Sequence, residues 1–517
     1  NKTMKATKLL LLLLVILYGS SCKKKDTDCT SCPAVKSLTP NKGFKGDTII
    51  LVGKNFSSEL HANIVKFNET TVPAADIISG NTNQLKVRVP DNCGTGPVSV
   101  YITDDLFSAP GPVFNYEYGS IASFLPATGR KGDTITIIGE KFSPAQNTVK
   151  FNGQKALLVS ESDTLIKAIV PVNCGTGLIT ITLTNGLTIK SVTDFIYTYT
   201  YTVSTYAGVP KTEGALDGPL ASATFKSLQG IGIDYKSRTI FVSDANCIRK
   251  INNGQVSTFV GDQATSGHAD GYGKAARLGT VNNIAVNSSG ELFIPDVINN
   301  CIRKIIPAGY VSTFCGKGKQ MGDQDGKGSN ALFSLPTSLQ LYNDSILFIA
   351  DTHTGKIRRC NMKAEVKTIP GISTSSSPRM MVKDDHTLLG TEFIKNQLMK
   401  IDLVSSQVSI FAGSGQNGVT DGDLLTASFS NPMGIAMRIV QGKQQIYVID
   451  NGSHLIRMID HNNRVSTVMG STSGYVDGEN RNALFNQPTG LAFDPANNNI
   501  LYILDAGNKI IRKVIID

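Results

Sequence analysis

From residue 201 onward the chain proceeds in short apolar bursts separated by polar turns. Six segments place two apolar runs on either side of a turn: "GIGIDYKSRTIFVSD", "NIAVNSSGELFIPD", "SLQLYNDSILFIAD", "RMMVKDDHTLLGTE", "GIAMRIVQGKQQIYVID" and "GLAFDPANNNILYILD". Runs of this length, alternating with period two and bounded by Gly, Asn and Asp, predict strand pairs and not helices. A third burst follows each pair, with its "IRK" element at Ile248, Ile302, Ile357, Leu398, Ile456 and Ile511. A fourth is repeated as "TVSTYAG", "QVSTFVG", "YVSTFCG", "EVKTIPG", "QVSIFAG" and "RVSTVMG". The "IRK" elements lie 54, 55, 41, 58 and 55 residues apart. Four short strands per unit at this period predict a six-bladed β-propeller, in which each blade needs a neighbour on either side to bury both of its faces.

The register predicts how the ring closes. The first "VST" strand, Val203 to Thr205, precedes every other blade strand, and the last blade ends at "IRKVIID" without one. The N-terminal strand is therefore expected to serve as the outer strand of blade six, which ties the ends of the ring together and removes an open edge.

Residues 35–200 carry a different repeat. "SLTPNKGFKGDTIILVGKNFS" from Ser37 matches "SFLPATGRKGDTITIIGEKFS" from Ser123, and "VPDNCGTGPVSVYIT" matches "VPVNCGTGLITITLT". The short alternating runs and Gly, Pro and Asn punctuation predict two antiparallel sandwiches. The shared residues closely resemble the immunoglobulin-like IPT/TIG domain, whose members are mostly spacers or interaction modules. The blade pattern "P.GIA.D...LYV.D..N..IRKI...G.VST.AG" in turn resembles the NHL repeat over residues 201–517. The expected organisation is a leader at 1–21, a tether at 22–34, IPT/TIG domains at 35–118 and 119–200, and the propeller at 201–517. The fold class is all-β.

The leader changes the expected location. Lys2, Lys5 and Lys8 precede or flank an apolar run from Leu9 to Leu17, followed by Gly19, Ser20, Ser21 and Cys22. A basic head, a short apolar core and a small-residue exit mark a secretory signal. A Cys after the small residues resembles a bacterial lipobox, with Gly19 in place of the usual Leu. The following "CKKKDTD" resembles the tether of Bacteroidetes-type lipoproteins. The resemblance implies lipidation at Cys22 and an envelope location at the outer membrane, with surface exposure an option. Removing the three leader lysines leaves 47 basic residues against 41 acidic, a net charge of +6. Spread over nearly 500 residues, this does not point to nucleic acid. Cys93 and Cys174 occupy matching positions in two repeats, as do Cys247 and Cys301; they read as small buried hydrophobes. Cys29 and Cys32 form a C-x-x-C without a second ligand pair.

Candidate chemistry is thin, because most polar residues have repeat equivalents. Five blades carry an Asp-Gly before the inner strand, at Asp217, Asp270, Asp325, Asp421 and Asp477. A turn whose carboxylate caps backbone N–H groups is the expected role. Asp323 and Asp325 lack the bidentate acid of an EF-hand loop. Strand two ends in Asp244, Asp296, Asp351, Glu392, Asp450 and Asp505, and strand three carries Arg249, Arg303, Arg358, Met399, Arg457 and Arg512. Acid and base depart from the pattern together in blade four, which suggests a repeated ion pair. Blade four also lacks the Asp-Gly loop and has "ISTSSSP" there.

Function is sought where the repeat breaks. The loops entering the inner strands and those joining strands two and three share one face, expected to carry His268, Tyr272, Lys274, His353, His454 and Tyr475. His386 and His461 fall on the other. NHL-type amidating lyases use histidines and zinc at this end of the channel, but these histidines come from different kinds of loop and lack metal-ligand spacing. No G-x-S-x-G elbow stands out, and no carboxylate pair can be picked out because nearly every acid has repeat equivalents. The expectation is a non-enzymatic binding protein without cofactor or metal, using the propeller face to capture a polysaccharide. A protein partner or adhesion role, and a lyase or hydrolase at the channel mouth, are the alternatives. The chain has no Trp, so Tyr and Phe would do any stacking.

Overall fold

The computed structural model describes residues 30–517 except 92, 104, 105, 108, 118, 185 and 375–377. Cys22, Cys29 and the leader lie outside the described residues. Among the described residues the regular structure is β-strand with short 3-10 turns. Two sandwiches precede a ring of six sheets.

The sandwiches are near copies. In the first, Ala34–Thr39, Thr48–Lys54, Gln84–Arg88 and Ile77–Asn81 form one sheet. In the second, Ser120–Leu125, Thr134–Glu140, Leu165–Ile169 and Leu157–Glu161 form its counterpart. Inward positions alternate along each strand, so Ile49 and Leu51, like Ile135 and Ile137, are fully buried. Phe67 meets Phe114 edge-on at 5.1 Å, and Phe151 meets Phe195 at 5.0 Å. Cys93 and Cys174 are buried in these cores, and burial pushes their thiols up to about 11 and about 12.

Each propeller sheet runs from an inner strand beside the central channel to an outer strand. The inner strands include Leu228–Ile233, Pro336–Tyr342, Met380–Asp384, Pro432–Val440 and Pro488–Asp494. The ring closes as the register requires. Tyr201–Ala207 pairs antiparallel with Ile510–Ile516, matching Val203 to Val514. Thr200 and Asp517 exchange both backbone hydrogen bonds at 2.9 Å.

One side-chain network recurs in five blades. Arg249, Arg303, Arg358, Arg457 and Arg512 are completely buried, each between two carboxylates. The inner partners are Asp244, Asp296, Asp351, Asp450 and Asp505, also fully buried, at 2.9, 2.9, 3.0, 3.3 and 2.9 Å. The outer partners are the Asp-Gly carboxylates Asp217, Asp270, Asp325, Asp421 and Asp477, at 2.7–2.8 Å and 41–48% exposed. The repeated ion pair anticipated in the sequence is thus a triad.

The capping role falls largely on the inner aspartates, which accept backbone N–H bonds from Ser227, Gly279, Ser334, Ser430 and Asn486 where the chain enters the inner strand. The outer aspartates accept from hydroxyls of the outer-strand threonines Thr258, Thr313, Thr368, Thr467 and Thr205, and Asp270, Asp325 and Asp477 also cap the backbone N–H groups of Thr313, Thr368 and Thr205. In four blades the guanidinium also lies over a phenylalanine, Phe225, Phe333, Phe429 or Phe485, at 5.1–5.3 Å. Desolvation raises the carboxyls of Asp351 and Asp450 to about 6, against the pull of their hydrogen bonds and arginines. Asp323 pairs with Lys356 and Arg358.

The Asp-Gly segments add a fifth, two-residue strand outside the outer strand, for example Gly326–Lys327 against Glu365–Thr368. Blade four has Met399 and Glu392 in the triad positions and a sheet of four strands. Its outer strand, Val408–Ala412, therefore leaves Val408 and Ile410 exposed.

The second sandwich docks on the hairpins joining inner strands to strands two. Blade five has an extended hairpin there, Pro432–Val440 with Lys443–Asp450. Gln441 at its tip accepts from Asn152 Nδ2 and donates to the Asn173 carbonyl, and Lys443 donates to the Thr176 carbonyl. Arg438 is buried between the rings of Tyr199 and Tyr447, at 4.9 and 5.7 Å, and its guanidinium donates to Gln445 and Asn499.

Two outcomes are expected. Deleting Tyr201 to Gly208 opens the edge of Ile510–Ile516 and should lower the propeller melting temperature by more than about 10 °C. An unchanged melting curve would mean that blade six holds without its outer strand. Arg358→Met strands the buried Asp351 carboxylate and should cost about 3–5 kcal/mol in denaturant unfolding, whereas Asp325→Asn, at a half-exposed partner, should cost about 1 kcal/mol. Equal losses would place the constraint at the rim instead of the interior.

Candidate functional site

The inner strands begin on the face opposite the docked sandwich. Aligning the blades on the acid ending strand two brings Gln229, Asn282, Thr337, Arg379, Met433 and Thr489 to one register position, since Leu228, Val281, Pro336, Pro432 and Pro488 all pair with that acid. These six residues ring the channel mouth. Five are uncharged; blade four supplies the cation.

The residue following the acid forms a second ring, of Ala245, Val297, Thr352, Phe393, Asn451 and Ala506. Here too blade four differs, with the aromatic Phe393. A cavity of about 380 Å³ at the mouth is lined by Gln229, Asn282, Arg379, Phe393, Met433 and Asn451 among others. A neighbouring cavity of about 340 Å³ shares Gln229, Met433 and Asn451 with it. Below them the channel itself encloses about 620 Å³, and Arg379 lines its wall as well.

Arg379 spans the opening. It starts from blade four, and its Nη1 donates to the Asn282 carbonyl of blade two. Its backbone is held by a bond from Arg379 N to Thr391 Oγ1, whose hydroxyl donates to the Met433 carbonyl at 2.9 Å. Burial lowers its pKa to about 10, so it stays a cation at neutral pH. Phe393 is half-buried, and its carbonyl accepts from Asn431 Nδ2. An aromatic face beside amides, a hydroxyl and one cation can stack on and orient a polar ligand.

The residues expected around the mouth are not gathered there. Tyr272 belongs to the fifth strand of blade two, Gly271–Tyr272, and its ring lies 4.8 Å from that of Tyr310 on the outer strand. Lys274 follows in the turn Gly273–Ala275. His268 lies 3.3 Å from Thr313 Oγ1 of the outer strand; burial and then the Arg303 charge lower its pKa. Tyr475 bonds Thr205 Oγ1 at 2.9 Å and lies over the guanidinium of Arg512. These four belong to the outer rim because the segment returning from outer to inner strand adds its Asp-Gly strand to the sheet edge before turning inward.

His353 and His454 do stand on the loops joining strands two and three, but neither lines the mouth cavities. His454 Nδ1 accepts from the Gln487 N–H at 3.0 Å. Among the described residues no group of three His, Cys, Asp or Glu is placed to hold a metal ion. Arg379 and Phe393 were legible in the blade alignment as the charged and aromatic exceptions in two otherwise unremarkable columns.

Comparison with known proteins agrees with this architecture. Residues 33–116 and 120–201 match the IPT/TIG domain. NHL repeat-containing protein 2 of Bos taurus is 24% identical over 339 residues, covering 54% of this chain and 45% of its own length. The chain spans less than half the length of the curated relatives it matches. A protein of unknown function from Bacteroides thetaiotaomicron has a similar fold, with a TM-score of 0.53 and 20% identity over 78% of this chain and 98% of its own. An auxiliary nutrient binding protein from the same organism gives a TM-score of 0.50 and 18% identity over 77% of this chain and 98% of its own. These likenesses establish the all-β fold of IPT/TIG domains with an NHL-like propeller.

Proposed function

We propose that the protein is a non-enzymatic, lipid-anchored binding protein of the cell envelope whose propeller mouth captures a polysaccharide. The observation that carries this reading is the mouth itself. Its cavity is lined by residues at equivalent positions whose identities change from blade to blade, and blade four places both Phe393 and Arg379 there. Residues that hold the ring recur from blade to blade; residues that recognise a ligand need not. The nutrient-binding name of a fold neighbour supports the same class of role. Phe393 supplies the flat apolar face on which a sugar ring stacks, and Gln229, Asn282 and Asn451 supply amides for its hydroxyls.

The domain order fits a tethered receptor. The second sandwich grips the hairpin face of the propeller through Gln441 and Lys443, so the mouth points away from the sandwiches. With a lipid on Cys22, the two sandwiches hold the mouth outward from the membrane, and the outer membrane is the location we assign.

Titrating the purified chain with a panel of oligosaccharides tests the site. Phe393→Ala should weaken binding of any glycan that binds by about tenfold and leave the melting temperature unchanged. Wild-type affinity in that variant would remove the mouth as the site. The anchor is tested separately by expressing Cys22→Ala, which should shift the protein from the membrane to the soluble fraction. Stable retention needs more than one acyl chain, so mass spectrometry of the N-terminal peptide should find a multiply acylated Cys22. Continued membrane retention with an unmodified peptide would overturn the lipoprotein assignment.

A further inference from the structure

Five deeply placed arginines of the propeller have their charge met by paired carboxylates. Arg438 has no carboxylate and an Nη2 without a partner, but it lies between two tyrosine rings with Gln445 and Asn499 as acceptors. Arg379 has neither arrangement. Its guanidinium has the Asn282 carbonyl as its side-chain partner and no carboxylate partner among the described residues. A half-buried cation without a counter-ion has lost hydration and has gained no ion pair in return. An arriving anion would supply the missing partner.

The surroundings narrow the class of anion. The side chains of Gln229 and Asn282 line the same cavity and have no hydrogen-bond partner among the described residues, so their amide N–H groups are open to an acceptor. The mouth's other cation, Lys509, is already engaged: its ammonium donates to the Lys226 carbonyl and lies 3.7 Å from Glu213. One free positive charge matches one negative charge. A planar guanidinium fork flanked by amides matches a planar carboxylate, which can accept two parallel bonds.

We infer that the mouth takes a carboxylate-bearing ligand, with the carboxylate on Arg379 and the Gln229 and Asn282 amides. Resting on the polysaccharide reading above, this makes the glycan an acidic one, such as a chain containing uronic acids, whose sugar ring reaches Phe393. Burial has not discharged the arginine, since its pKa of about 10 keeps it protonated at neutral pH.

The test is calorimetric titration of the purified chain with trigalacturonate, with galactotriose as the neutral counterpart and with acetate as a carboxylate lacking a sugar. Trigalacturonate should bind about tenfold to a hundredfold more tightly than galactotriose, and the preference should shrink as salt is raised. Arg379→Met should abolish the preference while preserving the melting temperature. Acetate competing at millimolar concentration would assign the subsite to the carboxylate itself; failure of acetate to compete, with the preference intact, would assign recognition to the carboxylate together with its sugar. Both outcomes support the inference.

Equal binding of the acidic and neutral probes in the wild-type chain, a comparison that needs no variant, would overturn it. If Phe393→Ala then weakens both probes, the polysaccharide reading of the mouth survives. A preference for trigalacturonate that persists in both Arg379→Met and Phe393→Ala would overturn the inference and the mouth together. Binding of none of the three probes also overturns it.

Discussion

Five guanidinium groups, one to a blade, lie fully buried between a buried carboxylate and a half-exposed one. A buried arginine is costly unless its charge and donors are met, so its position dictates where several pieces of chain must lie. It fixes the end of strand two through the inner aspartate, and that aspartate fixes the entry to the inner strand through a backbone N–H. The outer aspartate then ties the incoming loop to the threonine of the outer strand. Hydrophobic packing between neighbouring sheets supplies the cohesion of the ring. The triads decide the register at which that packing occurs, because each is satisfied only when four separate segments meet.

Blade four stands outside this scheme, and the consequences are coupled. With Met399 and no Asp-Gly loop it has neither the arginine nor the outer carboxylate, so nothing directs a fifth strand onto Val408–Ala412. Released from the network's geometry, the segment entering its inner strand carries Arg379 in place of the small or neutral residues used elsewhere. The residue after its acid is Phe393, where other blades carry Ala, Val, Thr or Asn. The blade least committed to the common scaffold is the one that gives the channel mouth its charge and its aromatic face.

The same division of labour appears at the junction with the second sandwich. Blade five lengthens its inner hairpin, and the extra residues reach Asn152, Asn173 and Thr176 while Arg438 fills the space between Tyr199 and Tyr447. Since hairpins and mouth lie on opposite faces, this attachment leaves the mouth unobstructed. A repeat scaffold accommodates both specialisations because each is carried by a single blade.

The sequence by itself determined the all-β class, the two sandwiches, the six-fold repeat and the closure of blade six by Tyr201–Ala207. These are legible because they follow from local periodicity and from counting: alternation reports a strand, and a missing "VST" at the end with a spare one at the start leaves one way to close. It also hinted at the triads, because Met399 and Glu392 depart from the pattern together. It did not determine where loop residues point. Tyr272, Lys274, His268 and Tyr475 share an Asp-Gly loop pattern that reads as a mouth loop, yet the pull of each buried arginine on its outer aspartate draws these segments to the rim. Nor did it single out Arg379 and Phe393, which lie just before one strand and in the turn after another, far apart from Gln229 and Asn282 in the chain. Bringing residues from separate blades to one opening is the work of ring closure, and only the tertiary structure decides which side chains meet there.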